Sequence, residues 1–167
     1  GVYYARSKGG VSGDRIKNDP AFVRTRENQQ EFGRAGKSGK LLRTALREVT
    51  VSIKDSSMSG RMTRGMMNVI HADTENVRGM RTVNKGDVLL LEGFEFNAKT
   101  TLDGTLLAAH TVVIDRVAGT VTLKVPSFIP TAMIVSPAGA THARFCSGAS
   151  EIDFELQHFN SNVQRSD

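Results

Sequence analysis

The spacing of apolar and small residues changes once along this chain, and that change limits what it can fold into. Phe22, Thr25, Gln29, Phe32, Ala35, Gly39, Leu42, Leu46, Val49 and Ile53 follow one another at steps of three and four, the period of one helix face. Met58, Met62, Met66 and Ile70 then recur every four residues. Beyond residue 80 the steps are gone. In their place stand the short runs "VLLLEGFEF", "TLLAAHTVVIDR", "TVTLKV", "TAMIVS", "HARFC" and "EIDFELQHF". Turn signals separate them: Lys85-Gly86-Asp87, Asp103-Gly104, Ala118-Gly119, Pro126, Pro130, Pro137 and Gly148. Short runs broken about every ten residues predict antiparallel strands, in a sandwich or an open barrel.

Asp19-Pro20 predicts a helix start, with Asp as the cap and Pro at the first helical position. One long helix, or two in series, is expected over 20–48, with "VTVSI" turning to strand. Ser56 and Ser57 are candidate caps for a second helix over 57–72. "EIDFELQHF" reads as one alternating strand, with Ile152, Phe154 and Leu156 on one face and Glu151, Asp153, Glu155 and Gln157 on the other. The expected class is therefore α+β. It comprises an extended basic N-terminal arm over 1–18, a helical segment over 19–75 and an antiparallel β domain over 76–167.

Charge separates the same regions. Through Glu48 there are 11 Lys and Arg against 5 Asp and Glu, and afterwards 11 against 12. The excess positive charge belongs to the first third, which suits an acidic partner such as nucleic acid or a negative patch on a neighbouring subunit. A beginning with Gly9, Gly10 and Gly13 frays unless it is held. "VYYA" offers a short aromatic strand suited to a foreign sheet edge. The expected subunit contacts are Val2, Tyr3, Tyr4, Arg6, Lys8, Arg15, Gly33, Gly36 and Gly39. The chain starts at Gly1 rather than methionine, which leaves room for a removed targeting segment. No apolar run approaches the roughly 20 residues of a membrane-spanning helix.

The stretch "GRAGKSGK" at 33–40 looks like a phosphate-binding loop, but it does not have that motif's spacing. Glu31 stands where the first glycine is needed, and "RTRENQQEF" before it is no buried strand. Three helix-interior glycines cost about 3 kcal/mol relative to alanine. Either Gly33, Gly36 and Gly39 allow another backbone to approach closely, or the helix breaks there. Arg24, Arg26, Arg34, Lys37, Lys40, Arg43 and Arg47 are candidate nucleic-acid contacts, although Glu27, Glu31 and Glu48 interrupt them.

Signals for chemistry are sparse. His71, His110, His142 and His158 show no metal-ligand spacing, and His142 with Cys146 supplies only two ligands. Cys146, the single cysteine, is expected to be a packing residue. Glu151, Asp153 and Glu155 read as a solvent face. No catalytic, cofactor or metal residue is assigned.

In "YYARSKGG", in "NDPAFVRTRENQQEFGRAGKSGKLLRTALR" and again in "SPAGATHARFCSGASEIDFE", the chain resembles a group of small uncharacterised bacterial proteins known best from Bacteroidota. The resemblance implies an ordered N-terminal arm as a shared feature and carries over no catalytic residue. The expected function is a non-enzymatic structural subunit forming a filament, shell or other homo-oligomer through its arm; its location is left open, extracellular or particle-associated if it forms a filament or shell. The alternative is a nucleic-acid-associated protein.

Overall fold

The computed structural model describes residues 9–166. A short α1 (Gly13–Asn18) precedes the helix start expected at Asp19. The Asp19 carboxylate accepts from the Ala21 N–H at 2.9 Å, and Pro20 opens a 3-10 turn that leads into α2 (Val23–Ala45). Residues 33–40 lie inside α2, so the helix does not break at its glycines. The strand expected at "VTVSI" does not form. The N–H groups of Val49 and Thr50 both donate back to the Leu46 carbonyl, at 3.2 and 3.1 Å. The chain accordingly continues as α3 (Arg47–Thr50).

Helix α4 (Met58–His71) matches the methionine period, and it buries Met62, Met66, Val69 and Ile70. It runs antiparallel to α2. Arg43 of α2 donates to Ser59 Oγ near the start of α4 (2.7 Å), while Glu31 of α2 meets His71 at its end. The buried face of α2 is low, made by Ala35, Ser38 and Gly39. Into that face pack the methionines of α4: a Cβ on Gly39 would stand 3.1 Å from Met62 Cγ. The core is a ridge of flexible thioethers laid into a trough of small residues.

The chain after α4 closes over this pair. Val83 joins the core, with Phe94, Phe96 and Phe154 packed against it. Residues 76–96 thus pack with the helices, although their pattern groups them with the β domain. Gly86 passes so near α4 that a Cβ there would collide with the Val69 carbonyl oxygen. "VLLLEGFEF" is not a strand. Its backbone bonds are local, from Leu90 N to Asp87 O, Glu92 N to Leu89 O and Phe94 N to Leu91 O. Asp87 caps the resulting 3-10 helix (Val88–Leu91) by accepting from Leu89 N.

Further along, Thr101 caps α5 (Leu102–Thr105), so only the second half of "TLLAAHTVVIDR" becomes strand. That strand, β1 (Thr111–Asp115), pairs antiparallel with β2 (Thr120–Lys124). "TAMIVS" starts within α6 (Pro130–Met133), and only the last residue of "HARFC" enters β3. β3 (Cys146–Asp153) pairs antiparallel with β4 (His158–Arg165). Among the described residues the sheets are these two hairpins, and a single bridge joins Leu106 to Ile134. The fold is α+β, and neither a sandwich nor a barrel is shown.

The alternation in "EIDFELQHF" is interrupted rather than continued. Asp153 accepts from the N–H groups of Glu155 and Leu156, both at 2.9 Å, and Gln157 adopts φ 55°. A carboxylate that bonds its own following backbone nucleates a turn, so the run folds into the tip of the β3–β4 hairpin.

Candidate interaction surface

The hairpins differ in how they meet the helices. One face of β3–β4 docks on the ends of α2 and α3. Ser161 Oγ donates to the Ala45 carbonyl at 2.8 Å, and Gly148 lies against Val49. The opposite face presents Ser147, Ala149, Asn162 and Gln164 toward β1–β2 across a cleft of about 150 Å³. In β1–β2, the pairs Val112–Leu123 and Ile114–Val121 put four aliphatic side chains on one face. Every residue of both strands is exposed. Val112 keeps 58% and Ile114 63% of its surface. The facing residues are small or polar, so the two layers share no apolar core, which is why the sandwich pattern does not close.

Val2, Tyr3, Tyr4, Arg6 and Lys8 lie outside the described residues. Arg15 turns back on its own segment, pairing with Asp19 at 3.0 Å and lying over the Phe22 ring.

Of the three α2 glycines, Gly39 is in contact with α4, while a Cβ on Gly33 or Gly36 would meet nothing within 4 Å. Beside them Phe32 is 61% exposed. Together with Gly60, Thr63 and Met67 of α4 it lines a shallow groove on the outer side of the helix pair.

The basic residues of α2 are divided between structural bonds and open solvent. Arg26 donates to the carbonyls of Ile16 and Asp19, and Arg43 to that of Gly39. Arg34 donates to the carbonyls of Gly79 and Arg81, and Arg24 pairs with Glu27. Lys37, Lys40 and Arg47 are exposed and make no ion pair among the described residues.

Sequence reasoning missed three polar organisers. The fully buried Glu31 accepts from the Gly79 N–H at 2.7 Å and pairs with Arg81 at 3.2 Å. With Arg34 it fastens residues 79–81 onto α2. Asp73, also buried, accepts from the N–H groups of Glu75, Asn76 and Thr82 and from the Asn76 side chain. Burial pushes the Asp73 carboxyl up, yet these donors outweigh it and hold it at about 2. Asp55 organises the turn into α4. The Ser57 hydroxyl, the Ala98 N–H and the Arg61 guanidinium hold its carboxyl well below the usual range. An acid followed by turn residues is the faint sequence signal for Asp55 and Asp73.

The remaining candidates stay apart. Cys146 is exposed rather than packed, because it opens β3 at the sheet margin opposite Arg165. His142 lies outside any strand, with its ring bonded to Thr141. Glu151 is exposed on β3, whereas Asp153 and Glu155 belong to the turn. Among the described residues no three His, Cys, Asp or Glu side chains gather as a metal site, and no helix is long and apolar enough to cross a membrane. No family model, curated protein or solved structure matches the chain.

Proposed function

We propose that this chain is a non-enzymatic structural subunit that self-assembles into a filament, shell or other homo-oligomer. The observation that carries the reading is its surface. The chain exposes 12772 Å² at 18.1 kDa, whereas a compact monomer of that mass exposes about 8,100 Å². The nine residues outside the described range account for about 1,400 Å² even when fully extended. Roughly 3,300 Å² of excess remains on this scale, comparable with what permanent assemblies bury. Exposed apolar side chains are spread along the chain, and on β1–β2 they include Val112, Ile114, Val121 and Leu123, where a second copy would supply the missing layer of a sandwich.

The arm supplies a second contact. Each two-stranded sheet leaves an unpaired edge on either side among the described residues, so a strand formed by residues 2–5 of a neighbour has acceptors.

Sedimentation velocity of the intact chain tests the proposal. A concentration-dependent large species is expected, and deletion of residues 1–18 or the pair Val112→Asp and Ile114→Asp should reduce it to monomer. A parent chain that stays monomeric would sink the reading. Binding to duplex DNA that weakens steeply with salt would favour the nucleic-acid alternative.

A further inference from the structure

We propose that a cleft beside the Val88–Leu91 helix receives residues 4–8 of a second copy of this chain. The inference rests on the self-assembly reading and gives the arm a specific seat. The cleft measures about 620 Å³, within the roughly 300–1,000 Å³ range of ligand sites. Its floor is apolar, with Leu46, Leu91, Phe94 and Leu102 among the lining residues. Glu92, Glu95 and Asp103 line the same cleft, and none of them joins an ion pair among the described residues. The nearby cation, Arg61, is committed to Asp55 at 2.6 Å and stacks over Phe94. Glu95 is held at the rim by the Leu102 N–H at 3.1 Å. The cleft therefore offers an oily base with unmatched negative charge around it.

Residues 1–8 match that chemistry. They carry Tyr3, Tyr4, Arg6 and Lys8 and no acid. In an extended segment, Tyr4, Arg6 and Lys8 project to one side at intervals of about 6.6 Å. Tyr4 covers the apolar floor, and the two cations reach the carboxylates in charge-assisted bonds. Side chains make this contact, so it is compatible with backbone pairing by residues 2–5.

Position favours a neighbour over the same chain. Residues 9–15 are exposed, and α1 is tied down where Arg26 meets the Ile16 and Asp19 carbonyls. The cleft lies toward the opposite end of α2, at Leu42 and Leu46. Eighteen helical residues separate the two places by about 27 Å. A donor at one end and an acceptor at the other make a head-to-tail contact, which repeats into a filament or closes into a ring.

Charge reversal in the full-length chain tests the seat. The variant Arg6→Glu with Lys8→Glu, and separately Glu92→Lys with Asp103→Lys, should each weaken self-association about tenfold or more in sedimentation, with unchanged far-ultraviolet circular dichroism. Mixing the two variants should restore a mixed assembly. If the parent is oligomeric but neither variant weakens it, the seat is wrong while self-assembly stands. If both weaken it and mixing restores nothing, the second-copy assignment is overturned. A monomeric parent removes both proposals.

Discussion

The α2–α4 pair and the β1–β2 hairpin carry comparably clear apolar patterns, yet only the first is covered. On α4, Met62, Met66, Val69 and Ile70 retain 1% or less of their surface. On β1–β2, the aligned pairs Val112–Leu123 and Ile114–Val121 remain exposed. An amphipathic pattern states that a face is to be buried and is silent about what buries it. The helices find their cover within the chain, from the small-residue trough of α2 and the loop that carries Val83. The hairpin faces Ser147, Asn162 and Gln164, which offer it little. An isolated two-stranded hairpin is marginal in water, and its uncovered aliphatic face is the ground on which a partner copy is proposed.

Mutations on the two sides should behave oppositely. The largest effect is expected from Met66→Ala, which empties a fully buried site and should cost about 3 kcal/mol in urea unfolding. A cost below about 1 kcal/mol would mean the helical core is as loosely held as the hairpin.

Acid should act next, again on the helical side. Asp55 and Asp73 both titrate below the ordinary carboxylate value of 3.8, with Asp73 at about 2. A depressed carboxyl stabilises the fold above its unfolded pKa, and that contribution is lost as pH falls through its folded value. The amide resonances of Asn76 and Thr82 should therefore shift with a midpoint near pH 2, where the Asp73 carboxyl takes its proton.

Within α2, Gly33→Ala and Gly36→Ala should each raise the thermal stability of the helix by about 1 kcal/mol, since their Cβ positions are open. Gly39→Ala should gain less, because its Cβ presses on Met62. Equal gains at all three would argue against the trough.

The smallest effect on stability belongs to the hairpin. Ile114→Asp should change the unfolding free energy of the monomer by no more than about 0.5 kcal/mol, even where it abolishes the oligomer. A loss as large as that of Met66→Ala would show that the hairpin is a folded core in its own right.

How much of this was legible in the sequence follows from how local each cause is. The cap at Asp19 and the four-residue methionine period act over one or two turns, and both elements appear where they were expected. The role of Gly39 was half-legible: it is closely packed, but on Met62 of its own chain rather than on a neighbouring subunit, and nothing in "GRAGKSGK" distinguishes it from Gly33 and Gly36. "VLLLEGFEF" was opaque, because its apolar residues serve α4 from a 3-10 helix rather than pairing with a strand. "EIDFELQHF" misled because Asp153 captures two backbone N–H groups, and a single side chain then outweighs an alternation nine residues long. The cleft at Leu46, Phe94 and Leu102 assembles from three distant stretches, so no spacing rule could have found it. The Asp73 donors likewise come from residues 75, 76 and 82.

The position of α2 has a mechanical consequence. The segment leading to the arm is tied to its first turns through Arg26, and β3–β4 is tied to its last through Ala45. If neighbouring subunits tug on those two places, tension runs lengthwise along one helical rod of 23 residues, roughly 34 Å long. The methionine core stands beside that line of force. A strand of such subunits would resist stretching through backbone hydrogen bonds loaded along their own axis, while the packed interior is spared the strain.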